Sequence, residues 1–263
     1  MAKVCPLFSG SSGNSYYIRS GDTGILLDAG RTAKQLTEAL TACDADPHSI
    51  QGIFITHEHV DHIKGLRVFA SKYHIPVYSS EGTLLELEKM GELQKVRYEV
   101  IPKDGMACGD FYITTFATSH DSADSIGFHM YTREGRSITL ATDLGVMTDI
   151  VRQALLCSDF VILESNHDIG MLRNGFYPYY LKQRILSETG HLSNLSCSDV
   201  LPELVDNGTT RIMLAHLSQE NNTPELALQT SLCALQVYGM RENVDFQLYV
   251  APRENKTGGR ILF

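Results

Sequence analysis

The chain's 263 residues, 43% of them hydrophobic, suffice for one sizeable core, and no disulfide framework is needed to hold it. A formal net charge of −9 and a pI near 5.5 exclude affinity resting on a broad basic surface and leave room only for a local basic strip. The stretch from Met1 to Gly10 is too short for a secretion signal and no run approaches the roughly 18 apolar residues of a membrane span, so one domain over 1–263, cytoplasmic and without membrane attachment, is expected.

Three strands come first, Val4 to Phe8, Ser15 to Ile18 and Ile25 to Leu27, the first two joined by the polar turn Ser9-Gly10-Ser11-Ser12-Gly13-Asn14. A helix follows from Thr32 to Ala42 with Thr32 as its cap, then a strand from Ile50 to Ile55. Ile63 to Tyr73 reads as helix, Pro76 to Tyr78 as a short strand and Thr83 to Met90 as helix. Strands return at Val96 to Ile101, Phe111 to Phe116, Ile126 to Tyr131 and Ser137 to Ala141. Helix Val146 to Leu156 leads to strand Phe160 to Leu163, and helices at Pro178 to Ser187, Asn194 to Val205 and Pro224 to Tyr238 flank strands at Arg211 to Leu214 and Phe246 to Val250. The tail Arg253 to Arg260 reads as a solvated basic terminus. Cys5, Cys43, Cys108, Cys157, Cys197 and Cys233 show no C-x-x-C pair and read as reduced thiols, mostly in the core. This order predicts an α+β fold of two mixed sheets face to face with helices outside.

The chemistry sits where strands end. The apolar run Ile53-Phe54-Ile55-Thr56 opens into His57-Glu58-His59-Val60-Asp61-His62, a density of donors with few structural uses. On an extended exit His57 and His59 point the same way, while Asp61 and His62 begin the next turn, a spacing suited to two neighbouring metals. Four further strands lead into Asp28, His120, Asp143 and His216. Together they give His57, His59, His120 and Asp143 for one ion and Asp61, His62, Asp143 and His216 for a second, with Asp143 bridging. Mixed imidazole and carboxylate ligands suit Zn²⁺ or Mn²⁺, with Fe²⁺ also compatible, better than Mg²⁺ or Ca²⁺.

Asp28, the motif at 57–62, His120, Asp143 and His216 stand in the order and at the spacings of the metallo-β-lactamase fold hydrolases, and the chain resembles that family from about residue 4 to about residue 220. The resemblance implies a four-layer αββα sandwich of the metallo-β-lactamase type, a dinuclear centre on one edge, a metal-held water as nucleophile, and Asp28 as an orienter of the ligands. Leu163-Glu164-Ser165-Asn166-His167-Asp168, Gly190-His191-Leu192-Ser193-Asn194 and Leu214-Ala215-His216-Leu217-Ser218 are similar to the nucleic-acid-processing branch, most of all to the bacterial YycJ/WalJ-like exonuclease group. Their layout also resembles the tRNA 3′-processing endonucleases, which implies that Glu164 orients His191.

Two cations a few ångströms apart acidify a shared water, align it and offset charge on the attacked group. Asp61 serves either as the acceptor of that water's proton or as a metal ligand, and His191, supported by Glu164, is the candidate acid for a departing oxygen. The expected function is a dinuclear metal-dependent hydrolase of phosphodiesters, a 5′-3′ or otherwise end-directed exonuclease with DNA as its partner. The alternative is a thioesterase or lactonase on the same centre, with which the acidic net charge is compatible. Phe176-Tyr177-Pro178-Tyr179-Tyr180 with Lys182 and Arg184 is either a surface for stacked bases and phosphates or an aromatic hairpin closing one end of the sandwich.

Overall fold

The computed structural model describes residues 2–156 and 158–263, so Cys157, expected among the core thiols, lies outside the described residues. The chain begins β1 (Lys3–Phe8), β2 (Ser15–Ser20), β3 (Thr23–Leu27), α1 (Ala33–Ala42), β4 (Ile50–Phe54), α2 (Val60–Ile63), α3 (Leu66–Tyr73), β5 (Val77–Ser79), α4 (Glu81–Lys89) and β6 (Tyr98–Val100). It continues β7 (Met106–Cys108), β8 (Phe111–Ala117), β9 (Ile126–Thr132), β10 (Ser137–Ala141), α5 (Asp149–Leu155), β11 (Phe160–Glu164), α6 (Ile169–Asn174) and α7 (Tyr179–Ile185). It ends α8 (Asn194–Asp206), β12 (Arg211–Ala215), α9 (Pro224–Val237), β13 (Gln247–Val250) and β14 (Ile261–Leu262). Two units are distinct: one runs to Thr115 and includes Ser122–Arg136 and Pro252–Phe263, the other comprises Phe116–Asp121 and Ser137–Ala251.

The strands form two seven-stranded sheets, ordered β14-β1-β2-β3-β4-β5-β6 and β13-β12-β11-β10-β9-β8-β7. Both are mixed, as the α+β expectation requires: β1, β2 and β3 pair antiparallel and β3 to β6 parallel, while β10 to β13 are parallel and β7 pairs antiparallel with β8. The central parallel strands β3 and β11 carry unbroken apolar runs rather than alternating ones, the pattern of strands buried on both faces. Phe160, Val161, Ile162 and Leu163 of β11 are all fully buried, as are Leu26 and Leu27 of β3.

Each unit has its own core. In the first, Leu36 and Leu40 of α1 and Phe69 of α3 pack with Leu26 and Ile53. In the second, Leu201 and Leu204 of α8 and Leu235 of α9 pack with Val161, Leu163, Ile212 and Leu214. Burying each such side chain contributes about 1.5–3 kcal/mol, enough to fix which face of each helix turns inward. Thr32 caps α1 as expected, its hydroxyl accepting from the Gln35 amide and the Gln35 side chain reaching back.

Three features differ from the expected order or add to it. The helix read from 63 to 73 begins at Val60 and breaks at Gly65, where the Gly65 amide donates to the Ala29 carbonyl at 2.9 Å and a methyl group would lie 2.0 Å from the Arg31 carbonyl oxygen. The stretch 253–260 is exposed at most positions, as a solvated terminus is, but it is tied down: Asn255 is buried, Arg260 meets Asp44 at 2.7 Å, and Ile261 and Leu262 beyond it pair with β1. Edge pairing of this kind covers backbone groups that β1 would otherwise expose. Finally, α6 and β7 carry too few residues to establish a period and were not expected. Among the described residues no helix is long and apolar enough to cross a membrane.

Candidate metal centre

In the first unit the site is built around Asp28, which leaves β3 with a left-handed backbone, φ 58°. That turn stops the strand and sets the carboxylate against the segment following β4. Asp28 Oδ1 accepts the Thr56 amide at 2.8 Å, the Thr56 hydroxyl lies 3.0 Å from Oδ2, and Oδ2 stands 2.8 Å from His62 Nδ1. Burial pushes the Asp28 carboxyl above its ordinary range, while His62 and the Thr56 hydrogen bonds pull it back. His57 Nδ1 is 3.0 Å from the Thr56 hydroxyl. His59 is the extended N-cap of α2 and Asp61 and His62 lie in its turn, as the spacing suggested. The His57 ring centroid lies 4.6 Å from that of His59 and 4.1 Å from that of His62. Asp61 keeps 27% of its side chain exposed, with Oδ2 3.6 Å from His62 Nε2.

Sequence reasoning missed Asn14. The turn carrying it reads as an ordinary Gly-Ser connection, yet Asn14 is buried, its Nδ2 3.0 Å from His62 Nε2 and 3.3 Å from Asp61 Oδ2. Its amide donates to the Asp61 carbonyl at 2.7 Å and its carbonyl accepts from Gly30 at 2.9 Å. Gly30 cannot carry a side chain here, because a methyl would fall 1.8 Å from the Asp61 carbonyl oxygen. The signal available in the sequence was the pairing of Gly13-Asn14 with Asp28-Ala29-Gly30 at the ends of adjacent strands.

In the second unit Asp143 follows β10 and His216 follows β12, both left-handed, with φ 59° and 55°. Non-glycine residues in this region cost about 1–3 kcal/mol each and persist where their surroundings over-determine them. Asp143 Oδ1 lies 3.4 Å from His216 Nδ1, 3.6 Å from His191 Nδ1 and 3.8 Å from His120 Nε2. Glu164, the last residue of β11 and fully buried, places Oε1 2.7 Å from His216 Nδ1 and 2.9 Å from His191 Nδ1. Its Oε2 accepts the amides of Leu144 and Leu192. Burial works against the ionised form, but His191 and His216 outweigh it and hold the carboxyl well below its ordinary range. Asp143, Glu164, His191 and His216 each present a donor atom within 4.8 Å of the others. His120 Nδ1 lies 3.2 Å from the Gly190 carbonyl.

A regularity links the two halves: His57, His62, His120 and His216 all have Nδ1 tied to an oxygen. An imidazole that donates from Nδ1 carries its lone pair on Nε2, and this is how proteins prepare histidines to ligate a metal. Nitrogen and carboxylate donors of this kind fit a borderline divalent cation.

Three residues beyond Glu164, His167 is buried with neither ring nitrogen hydrogen-bonded, and burial lowers its pKa from 6.5 to about 4. Unfolding exposes it and lets it bind a proton between those values, so its contribution to stability is present above about pH 6.5 and is lost as pH falls toward 4. The size is about 3 kcal/mol over that window. Urea titrations of chelator-treated protein at pH 4.5 to 7.5 should show a shallower fall in unfolding free energy for His167→Asn than for wild type; parallel curves would rule the effect out.

A model of the beta-lactamase superfamily domain matches residues 23–217. The chain is 37% identical over 253 residues to the exodeoxyribonuclease WalJ of Streptococcus pneumoniae, covering 94% of this chain and 93% of that one. It is 35% identical over 247 residues to the exodeoxyribonuclease YycJ of Bacillus anthracis, covering 92% of each. Among solved structures, the metallo-β-lactamase fold protein YhfI of Bacillus subtilis superposes with a TM-score of 0.72 at 17% identity, covering 97% of this chain and 98% of that one.

Proposed function

This chain belongs to the β-lactamase superfamily, and from that premise we propose that it is a cytoplasmic metal-dependent hydrolase that cuts DNA phosphodiesters from a strand end. The observation that carries the proposal is the repeated pairing of a buried carboxylate with Nδ1 of an imidazole, Asp28 with His62 and Glu164 with both His216 and His191. The two exodeoxyribonuclease relatives, matched over nearly the whole chain, support DNA as the substrate.

In this reading His57, His59, His120 and Asp143 hold one divalent ion and Asp61, His62, Asp143 and His216 hold a second, Mn²⁺ or Zn²⁺ before Fe²⁺. When bound, the ions supply Lewis acidity that lowers the pKa of water and offsets negative charge on the phosphoryl oxygens. The protein's residues do the rest. Asp28 and Glu164 fix the tautomers of His62 and His216. Asp61, partly open to solvent, takes up the proton of the attacking water at Oδ2. His191, its Nδ1 held by Glu164, gives a proton from Nε2 to the departing oxygen.

Mn²⁺-loaded protein incubated with end-labelled single-stranded DNA should release labelled nucleotides progressively, and Asp61→Ala protein purified in parallel should not. An acyl-thioester and lactone panel run beside it tests the second reading, with which the net charge of −9 is compatible. Turnover on that panel with the DNA left intact would replace the nuclease with a small-molecule hydrolase.

A further inference from the structure

Between Asp168 and Glu188 the sequence contains Arg173, Lys182 and Arg184 and no carboxylate, a local run of positive charge in a chain of net charge −9. The same segment displays three aromatic rings. Phe176 is fully exposed at 107%, Tyr179 at 77% and Tyr180 at 75%. An aromatic hairpin closing the sandwich would bury these rings, so the exposure of Phe176 decides against a packing role.

The rings stand on an ordered support. Lys182 Nζ donates to the carbonyls of Arg173 and Gly175, at 2.9 and 2.7 Å, tying the turn after α6 to α7. Arg184 closes on Asp121, the neighbour of His120, with Nη2 to Oδ1 at 2.8 Å. Gly190 is seated so closely under α7 that a methyl would lie 2.2 Å from the Arg184 carbonyl oxygen, and the His191 amide donates to the Ile185 carbonyl at 3.0 Å. The seven residues of α7, about 10 Å of helix, therefore run from the exposed tyrosines to the backbone of His191. A shallow cavity lined by Arg173, Tyr179, Lys182, Gln183 and Leu186 lies beside the rings.

We propose that Phe176, Tyr179 and Tyr180 form a stacking platform for the unpaired bases of a single-stranded DNA arm, with Arg173 meeting its phosphates. Flat rings accept any base, since every base offers a π-face, and the local cations complement the strand where the remaining surface repels it. The platform rests on the nuclease reading and names the form of its substrate: a strand whose scissile phosphate faces His191 presents its flanking bases along α7.

The test is fluorescence anisotropy of a labelled mixed-sequence single strand on the metal-loaded full chain carrying His191→Ala to slow cleavage, with and without Phe176→Ala/Tyr179→Ala/Tyr180→Ala. Stacking predicts a Kd at least about 10-fold higher for the triple variant, with blunt duplex binding changed less than 2-fold. The planar variant Phe176→Tyr/Tyr179→Phe/Tyr180→Phe should stay within about 2-fold of its parent. In the wild-type background, turnover of bis(p-nitrophenyl) phosphate should be unaffected by the triple alanine change, which reports that the site is intact. Equal single-strand affinity in both backgrounds, or equal loss with the planar variant, overturns the platform while leaving DNA cleavage standing. A wild-type protein that turns over thioesters and neither binds nor cleaves DNA overturns the nuclease reading itself, and the platform falls with it.

Discussion

Asp143→Asn should cost the protein its ion pair and at least about 10⁴-fold in DNA turnover, roughly 5.5 kcal/mol of barrier. The expectation follows from position and charge together. One Asp143 oxygen lies within 3.8 Å of ring nitrogens on His120, His191 and His216, so this carboxylate is the hub of the second unit's donors. In the proposed arrangement it is the one anion shared by both ions, and an amide of the same shape carries no charge to offset theirs. Asparagine is the informative replacement because Asp143 is left-handed, φ 59°. Asn tolerates that conformation, whereas Ala would add backbone strain and confuse a lost ligand with a lost fold. Elemental analysis of metal per chain, read beside the melting temperature with and without added Mn²⁺, makes the distinction. Wild type should gain stability with Mn²⁺ as expected for a ligand that binds only the folded state, and Asp143→Asn should gain much less. A variant that still holds two ions per chain and degrades DNA at the wild-type rate removes Asp143 from its bridging role.

Why so much of this was legible comes down to where strands stop. Buried parallel strands need uninterrupted apolar runs, so Phe160–Leu163 and Ile212–Leu214 announce themselves, and the first charged or imidazole residue after each run lies at the strand's carboxyl end. Asp28, Asp143 and His216 stand out by that rule, whereas Glu164 is legible only through the resemblance to the nucleic-acid-processing branch. What stayed hidden depends on contacts between distant positions. At the break, the Gly65 amide is taken by the distant Ala29 carbonyl and the Arg31 carbonyl leaves no room for a side chain, while the pairing of Ile261 and Leu262 with β1 joins the two ends of the chain. Asn14 belongs to the same class: its place beside Asp61 and His62 is fixed by backbone bonds to Asp61 and Gly30, which no local pattern announces.

The two units use the same device in different strength. Asp28 supports one imidazole and remains a carboxyl whose burial raises its pKa, whereas Glu164 supports two and is held ionised by them. An orienting group that supports a single ligand has one task. In the proposed reading, a group whose oxygen lies 2.7 Å from one histidine and 2.9 Å from another holds a ligand and positions an acid at once. His216 is nearly inaccessible while His191 keeps 14% of its side chain exposed, which is why the proposed reading gives His191, and not His216, the contact with a substrate oxygen.

That asymmetry makes His191→Ala separable from every ligand substitution. DNA turnover should fall about 10²–10⁴-fold, the usual worth of a positioned acid, with metal content unchanged. A structural role for His191 could mimic the fall in rate, so the leaving group supplies the decisive measurement. A nucleotide alkoxide needs a proton as the bond to phosphorus breaks; p-nitrophenolate is stable without one. Thymidine 5′-(p-nitrophenyl phosphate) should therefore lose less than about 10-fold on His191→Ala, while DNA loses the full amount. Glu164→Gln should show the same leaving-group dependence but also bind metal more weakly by about 10–100-fold, because it leaves His216 as well as His191 without its anionic partner. Equal losses on both substrates would mean that His191 shapes the site and moves no proton.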